Sequence, residues 1–223
     1  MNTRRWVLLR GLVREQRHWN DFPEIFKRYF PKDQLVLHDF AGNGKRFREK
    51  SATAIQDMVE DIRYTLASDS PASDSLAADA PASESQQQPV HIIALSLGAM
   101  VATEWMIRYP DECAASVLIS TSMKGLNPLH QRLLPSTYPS IIRSLLLPGP
   151  LEQKESRNLK LVSNLAADDE TRRKTLIRQW AGYARECPVS ASNGLRQLIA
   201  AARFHIPAKK PRQPVLILRS RAD

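Results

Sequence analysis

The sequence predicts an α/β protein, with a parallel, doubly wound sheet and a helical cap inserted before the last strand. Two patterns favour this class. Between residues 6 and 120, four short apolar runs alternate with stretches of helical periodicity, as in parallel strands joined by crossover helices. Residues 123–213 then show one helical pattern after another without a strand, and a fifth strand-like run begins at Pro214.

The first part of the chain contains two strand–helix units. A strand over residues 6–9 is followed by apolar side chains at helical spacing that begin at Trp19 and end at Tyr29. A second strand over residues 34–37 ends in a turn-forming loop at residues 39–44. We expect Ser51 to cap the next helix, whose apolar stripe consists of Ile55, Met58, Val59, Ile62 and Leu66.

The segment that follows is too polar to fold. Residues 67–89 contain a single large aliphatic side chain and no positive charge, and they repeat short Ser, Ala, Asp and Pro units. Such a composition cannot offset the entropy of ordering the chain, so we expect a disordered, dispensable surface loop. It carries an acid at every fifth position, namely Asp69, Asp74, Asp79 and Glu84.

The third unit joins its strand to its helix at a serine. A strand over residues 90–94 leads into a helix that ends before Pro110, and a strand over residues 115–120 follows. Ser96 lies between this strand and this helix, with a small residue two positions to either side. The predicted organisation is a first core part over residues 1–122, a cap over 123–213 and a core strand over 214–223.

A serine at a sharp strand-to-helix turn is typical of a catalytic nucleophile. The strained turn presents the hydroxyl of Ser96, and bulky neighbours would collide with the crossing helix and strand. Leu97 begins the helix, so its main-chain N–H is unpaired and points to where negative charge develops on an attacked carbonyl. Taken alone, the five-residue pattern is more typical of an ordinary tight turn; its place at the start of a helix is what favours a nucleophile.

Two further segments extend the pattern to a resemblance. Residues 8–12 (Leu-Leu-Arg-Gly-Leu) and 39–44 (Asp-Phe-Ala-Gly-Asn-Gly) resemble the His-Gly-x and Asp-x-Pro-Gly-x-Gly loops of the α/β-hydrolase family. The resemblance implies that the main-chain N–H of Leu12 is the second oxyanion-hole donor, beside that of Leu97. Arg10 stands where the family has histidine, which leaves the oxyanion hole intact but puts the anchoring of its loop in doubt.

The same resemblance implies the rest of a catalytic triad. Residues 216–223 resemble the strand that delivers the acid, so Asp223 would orient and charge-stabilise a histidine; the alternative is an exposed terminal residue. In this family the histidine follows the acid, and none of the five histidines is in that position; they are His18, His38, His91, His130 and His205. We therefore expect a C-terminally truncated core that is inactive as given, and structural or solvated roles for these five.

Composition limits the remaining function classes. The formal net charge is +9, but the basic residues are scattered rather than gathered in one stripe, which argues against nucleic-acid binding. No apolar run is long enough to span a membrane, and Cys113 and Cys187 lack the spacing of a zinc site or a disulfide framework. We expect a cytoplasmic protein without metal or cofactor; the sequence does not indicate its oligomeric state.

The resemblance implies a serine hydrolase that cleaves a small-molecule carboxylic ester through an acyl-enzyme. Three alternatives stay open from the sequence. A thioesterase and the lyase of menaquinone synthesis use the same triad, and a non-catalytic binding protein could retain the fold without it.

Overall fold

The computed structural model describes residues 3–68, 88–120, 123, 149–162 and 169–219. Several predictions from the sequence fall outside these residues: nearly all of the low-complexity loop, residues 124–148 of the predicted cap including His130, and Asp223. Where the loop begins, the prediction was wrong by two residues, because the preceding helix continues through Ser68.

In the described residues five strands form one all-parallel sheet, as predicted. Along the chain they are β1 (Arg5–Leu9), β2 (Gln34–His38), β3 (Val90–Leu95), β4 (Cys113–Ile119) and β5 (Val215–Leu218). Their spatial order is β2-β1-β3-β4-β5, so β1 and β3 are neighbours at the centre of the sheet. In parallel sheets the loops at the carboxyl ends of the strands lie along one edge, which is where such folds bind ligands.

Six helices accompany the sheet in the described residues: α1 (Phe22–Tyr29), α2 (Ile55–Ser68), α3 (Leu97–Arg108), α4 (Leu151–Val162), α5 (Glu170–Glu186) and α6 (Ala191–Arg203). The last three lie between β4 and β5 in the chain, in agreement with the run of helical patterns in the sequence. None of the helices in the described ranges is long and apolar enough to cross a membrane.

Apolar side chains cover both faces of β1 at the centre of the sheet, as expected for parallel strands. On β1, Val7 and Leu9 pack into the larger core with side chains of α2 and α3. Leu8 points to the opposite face, where it packs with Trp19 and Phe26. Because successive residues of a strand face opposite sides, the unbroken apolar run of β1 is explained by burial on both of them.

The helices between β4 and β5 make two kinds of contact. Helices α4 and α5 share a small core and reach the segment after β1, where Glu155 forms an ion pair of 2.6 Å with Arg14. Helix α6 contributes Ala200 to the larger core, and Phe204, which directly follows the helix, packs into the same core. The division into core and cap at residues 123 and 213 stays a prediction.

The prediction that Ser51 caps a helix was wrong. Helix α2 begins at Ile55, four residues later than Ser51. The hydroxyl of Ser51 instead donates a hydrogen bond of 2.6 Å to the carbonyl of Ala41, and its N–H donates to Asn193 of α6. Ser51 therefore fastens the loop after β2, because its hydroxyl and amide are both engaged there.

Candidate active site

Ser96 occupies a strained turn between β3 and α3. Its backbone has φ 54° and ψ −113°, and positive φ is uncommon for residues other than glycine. Neighbouring main-chain groups fix this conformation, because the Ser96 N–H donates to Ile119 O (3.0 Å) and its carbonyl accepts from Ala99 N–H (3.0 Å). A serine at a helix N-terminus usually accepts a hydrogen bond from the first turn, but the side chain of Ser96 does not.

The turn at Ser96 lies against the end of β1, and two glycines allow this approach. A β-carbon at Gly98 would lie 2.6 Å from the carbonyl oxygen of Leu9 and 2.7 Å from that of Arg10, closer than real contacts permit. A β-carbon at Gly11 would lie 3.2 Å from that of Ser96. The loop after β1 therefore borders the predicted nucleophile.

This loop carries the second predicted oxyanion donor. Residues 11–14 form a tight turn closed by a hydrogen bond of 3.2 Å from Arg14 N–H to Gly11 O, with Leu12 and Val13 at its centre. Leu97, the other predicted donor, is the first residue of α3 and is buried. Ser96, Leu97 and the loop of Leu12 thus come together at one edge of the sheet, whereas Asp223 lies outside the described residues.

Arg10, which replaces the family's histidine, packs against an aromatic ring. Its guanidinium lies 5.0 Å from the centre of the Trp19 ring. Burial and the nearby charge of Arg14 lower the pKa of Arg10 to about 10. At neutral pH Arg10 therefore stays charged, and its contact with Trp19 is a cation–π interaction.

The loop after β2 is tied to the segment after β1 by Asp39. Its buried carboxylate accepts hydrogen bonds from Gln16 N–H (2.7 Å) and Lys45 N–H (3.2 Å). Burial raises the pKa of Asp39, while these donors oppose that shift. The acid of the family-like motif at residues 39–44 thus has a structural role in this chain.

Two buried amides that sequence reasoning missed complete this connection. Gln197 of α6 and Asn43 of the β2 loop are both fully buried. Gln197 Oε1 accepts from Val13 N–H (2.9 Å), and its Nε2 donates to Asn43 Oδ1 (2.7 Å). In the sequence they are ordinary polar residues of a helix and a loop, so no sequence pattern could have identified them.

The histidines in the described residues make contacts of other kinds. Arg14 Nη1 lies 3.1 Å from Nε2 of His18, and burial together with nearby arginines lowers the pKa of His18 to about 2. His91 lies at the start of β3 against the Trp6 ring, 4.7 Å between centroids, and His38 packs near Phe40. His205 is exposed after α6. None of these contacts involves Ser96, so they do not identify a histidine that could act as the base for Ser96.

Acidic and metal-binding side chains offer no metal centre in the part of the chain that the structure describes. No group of three or more His, Cys, Asp or Glu side chains there is placed to hold a metal ion. The polar groups at the edge around Ser96 include its hydroxyl, main-chain N–H groups and the charged side chain of Arg10.

Solved structures with this fold are α/β-hydrolases. A hydrolase from Pseudomonas aeruginosa PA01 superposes with a TM-score of 0.68 at 14% identity, over 96% of this chain and 71% of that chain. The enol-lactonase from Burkholderia xenovorans LB400 has a TM-score of 0.67 at 13% identity, with coverage of 97% and 72%. The esterase RhEst1 from Rhodococcus sp. ECU1013 has a TM-score of 0.65 at 13% identity, with the same coverage of 97% and 72%.

The chain also matches the model of a protein family. Residues 18–223 match the model of the family described as Serine aminopeptidase, S33. The chain belongs to this family of α/β-hydrolases. No curated protein sequence matches it.

Proposed function

We propose that this hydrolase cleaves carboxylic esters with Ser96 as nucleophile. The observation that carries the proposal is the position of Ser96, which holds positive φ at a strand-to-helix turn beside the loop of Leu12. Backbone strain at a residue so firmly held is typical of functional sites. An ester is the preferred substrate class because an esterase and a lactonase share the fold.

The proposed reaction passes through an acyl-enzyme. A histidine takes the proton from the Ser96 hydroxyl as its oxygen attacks the ester carbonyl, and the N–H groups of Leu12 and Leu97 bind the oxyanion. The alcohol leaves with that proton, and water then attacks the acyl-enzyme to release the acid. Asp223 is proposed to orient the histidine.

The histidine of this mechanism is not assigned to any of the described residues. His18 is the one nearest the β1 loop in sequence, but its low pKa and its contact with Arg14 make it a poor proton acceptor. No histidine of the described residues is therefore proposed as the base of Ser96.

The test measures hydrolysis by protein expressed from the complete reading frame. We expect turnover of short p-nitrophenyl esters with an initial burst, and a loss of at least about 1,000-fold in kcat for Ser96→Ala. Amino-acid p-nitroanilides should be included, since the family description names an aminopeptidase. Ester turnover that survives Ser96→Ala would contradict the proposal. Turnover of the anilides but not of the esters would show that the substrates are amides rather than esters.

A further inference from the structure

The loop after β1 has an unusual conformation for its sequence. Val13 has φ 49°, which a β-branched residue very rarely adopts, and it neighbours the proposed donor Leu12 in the turn. Such a conformation persists only when surrounding contacts determine it. The histidine that the family carries before this loop is replaced by Arg10, so the contacts must come from elsewhere in the chain.

The contacts that hold the turn at Val13 come from the buried side-chain amides of Gln197 and Asn43. Val13 N–H donates to Gln197 Oε1 (2.9 Å), Gln197 Nε2 donates to Asn43 Oδ1 (2.7 Å), and Asn43 Nδ2 donates to Arg14 O (2.9 Å). These three bonds form a chain that starts at one residue of the turn and returns to the next. The turn is consequently held at both its N–H and its carbonyl side.

The Gln197 amide has few unused hydrogen-bonding groups. Its Nε2 also donates to Ser51 Oγ (3.1 Å), so both of its amide hydrogens and its oxygen are engaged while the side chain is fully buried. A buried polar network in which every member is satisfied rigidifies its surroundings. An apolar side chain at this position would leave the Val13 N–H without its acceptor.

We propose that Gln197 of α6, acting with Asn43, is a positioning residue that sets the geometry of the oxyanion donor Leu12. This inference rests on the proposed function. It assigns part of the oxyanion hole to a helix about 185 residues away in sequence, from the segment between β4 and β5. In this proposal Gln197 and Asn43 anchor the loop after β1, where Arg10 replaces the histidine of the family motif.

The test compares Gln197→Met with a matched variant on the same helix. Methionine keeps the length and helix propensity of glutamine but neither donates nor accepts strongly. Asn193→Leu is the control, because Asn193 is also buried, but its side chain accepts from Ser51 N–H (3.0 Å) and donates to Glu49 O (2.9 Å) rather than bonding to residues 11–14.

Two readouts separate positioning from general stability. In Gln197→Met we expect the Val13 amide to exchange hydrogen at least about 10-fold faster than in the wild type, whereas Asn193→Leu leaves it protected. We also expect kcat for the ester to fall by about 10- to 100-fold in Gln197→Met with KM nearly unchanged, as for interactions made only in the transition state. Asn193→Leu should retain wild-type kcat.

Gln197→Glu keeps the test decisive if Gln197→Met folds poorly. It retains an oxygen that can accept from Val13 N–H, so the Val13 amide should stay protected. Equal Val13 exchange in Gln197→Met and Asn193→Leu would overturn the proposal, and so would equal kcat values for these two variants. If wild-type protein does not use Ser96 at all, the proposed function fails, and exchange at Val13 still decides whether Gln197 anchors the loop.

Discussion

Val13 and Ser96 both hold positive φ, and they lie on adjacent loops at the carboxyl edge of the sheet. Each conformation is fixed by hydrogen bonds from a different element: Ser96 by β4, and Val13 by Gln197 of α6. Strained residues that are held in this way commonly mark a site where geometry matters for function. Neither a strand nor a helix explains these two conformations locally, so their cause is tertiary.

Gly98 should be intolerant of even a methyl group. An alanine there would place its β-carbon against the main-chain oxygens of Leu9 and Arg10, and backbone atoms cannot turn aside. We expect Gly98→Ala to lower the free energy of unfolding by about 1–3 kcal/mol, because α3 must move off the end of β1. For a chain of this size that is a fall of roughly 2–12 °C in the melting temperature, measured by circular dichroism.

Gly182→Ala provides the matched control. Gly182 lies within α5, and a β-carbon there would meet no atom within 4 Å. Alanine is the better helix former, so this variant should be as stable as the wild type or more stable by about 0.5–1 kcal/mol. Similar melting temperatures for the two alanine variants would refute the close approach of α3 to β1.

His18 predicts a dependence of stability on pH. Burial, helped by Arg14 and Arg10, lowers its folded pKa from 6.5 to about 2, so the unfolded chain binds a proton that the folded protein does not. The stabilising contribution is complete above pH 6.5 and is lost as the pH falls from 6.5 towards 2. We expect His18→Gln, which cannot titrate, to reduce the stability difference between pH 7.5 and pH 5 by up to about 2 kcal/mol.

Urea unfolding of both proteins at the two pH values measures this difference. Comparison with the variant is needed because burial also raises the pKa values of Glu15 and Asp39, which act in the opposite direction at lower pH. An identical pH difference in wild type and His18→Gln would show that the buried imidazole is not kept neutral.

At the scale of elements, the sequence was most informative where the apolar pattern alone determines the element. The strands were predicted because each is a short apolar run, and the run over 214–218 proved to be β5. The first helix was less well predicted: Trp19 belongs to a short 3₁₀ turn, and α1 begins only at Phe22. There Pro23 in the first turn favours a new helix start, a local preference that apolar periodicity does not register.

Polar residues were the harder part of the prediction. Ser51 has the residue type of a helix cap, but its hydroxyl and amide bind Ala41 and Asn193 instead. Gln197 looks like any polar residue of an amphipathic helix, and its role appears only when α6 is placed beside the β1 loop. The turn at Ser96 was predicted because the strand, the serine and the helix are consecutive in sequence, whereas the proposed anchoring of Leu12 depends on contacts distant in sequence.

At the scale of the whole molecule, the last described strand is apolar and exposed. In the described part of the chain β5 pairs with β4 alone, and Leu216 and Ile217 are 54% and 63% exposed. Exposed apolar edge strands promote association between chains. We expect Ile217→Thr to raise the soluble yield while the melting temperature changes by less than about 2 °C, because threonine also favours β structure.

Leu118→Thr is the control from the neighbouring strand. Leu118 lies beside Ile217 in the β4–β5 register but is only 4% exposed, so its replacement should cost about 2 kcal/mol or more. If Ile217→Thr is destabilised as much as Leu118→Thr, or its soluble yield is not improved, β5 is covered in solution.

The central claim is that Ser96 is the nucleophile, and covalent labelling tests it most directly. A fluorophosphonate forms a bond from phosphorus to an activated serine oxygen with loss of fluoride, and mass spectrometry of peptides locates the adduct. In protein from the complete reading frame, we predict one adduct at Ser96, its absence in Ser96→Ala, and its retention in Ser120→Ala. Ser120 is the matched control because it also follows a strand with positive φ, at 44°. An adduct on another residue, or labelling that persists in Ser96→Ala, would contradict the account.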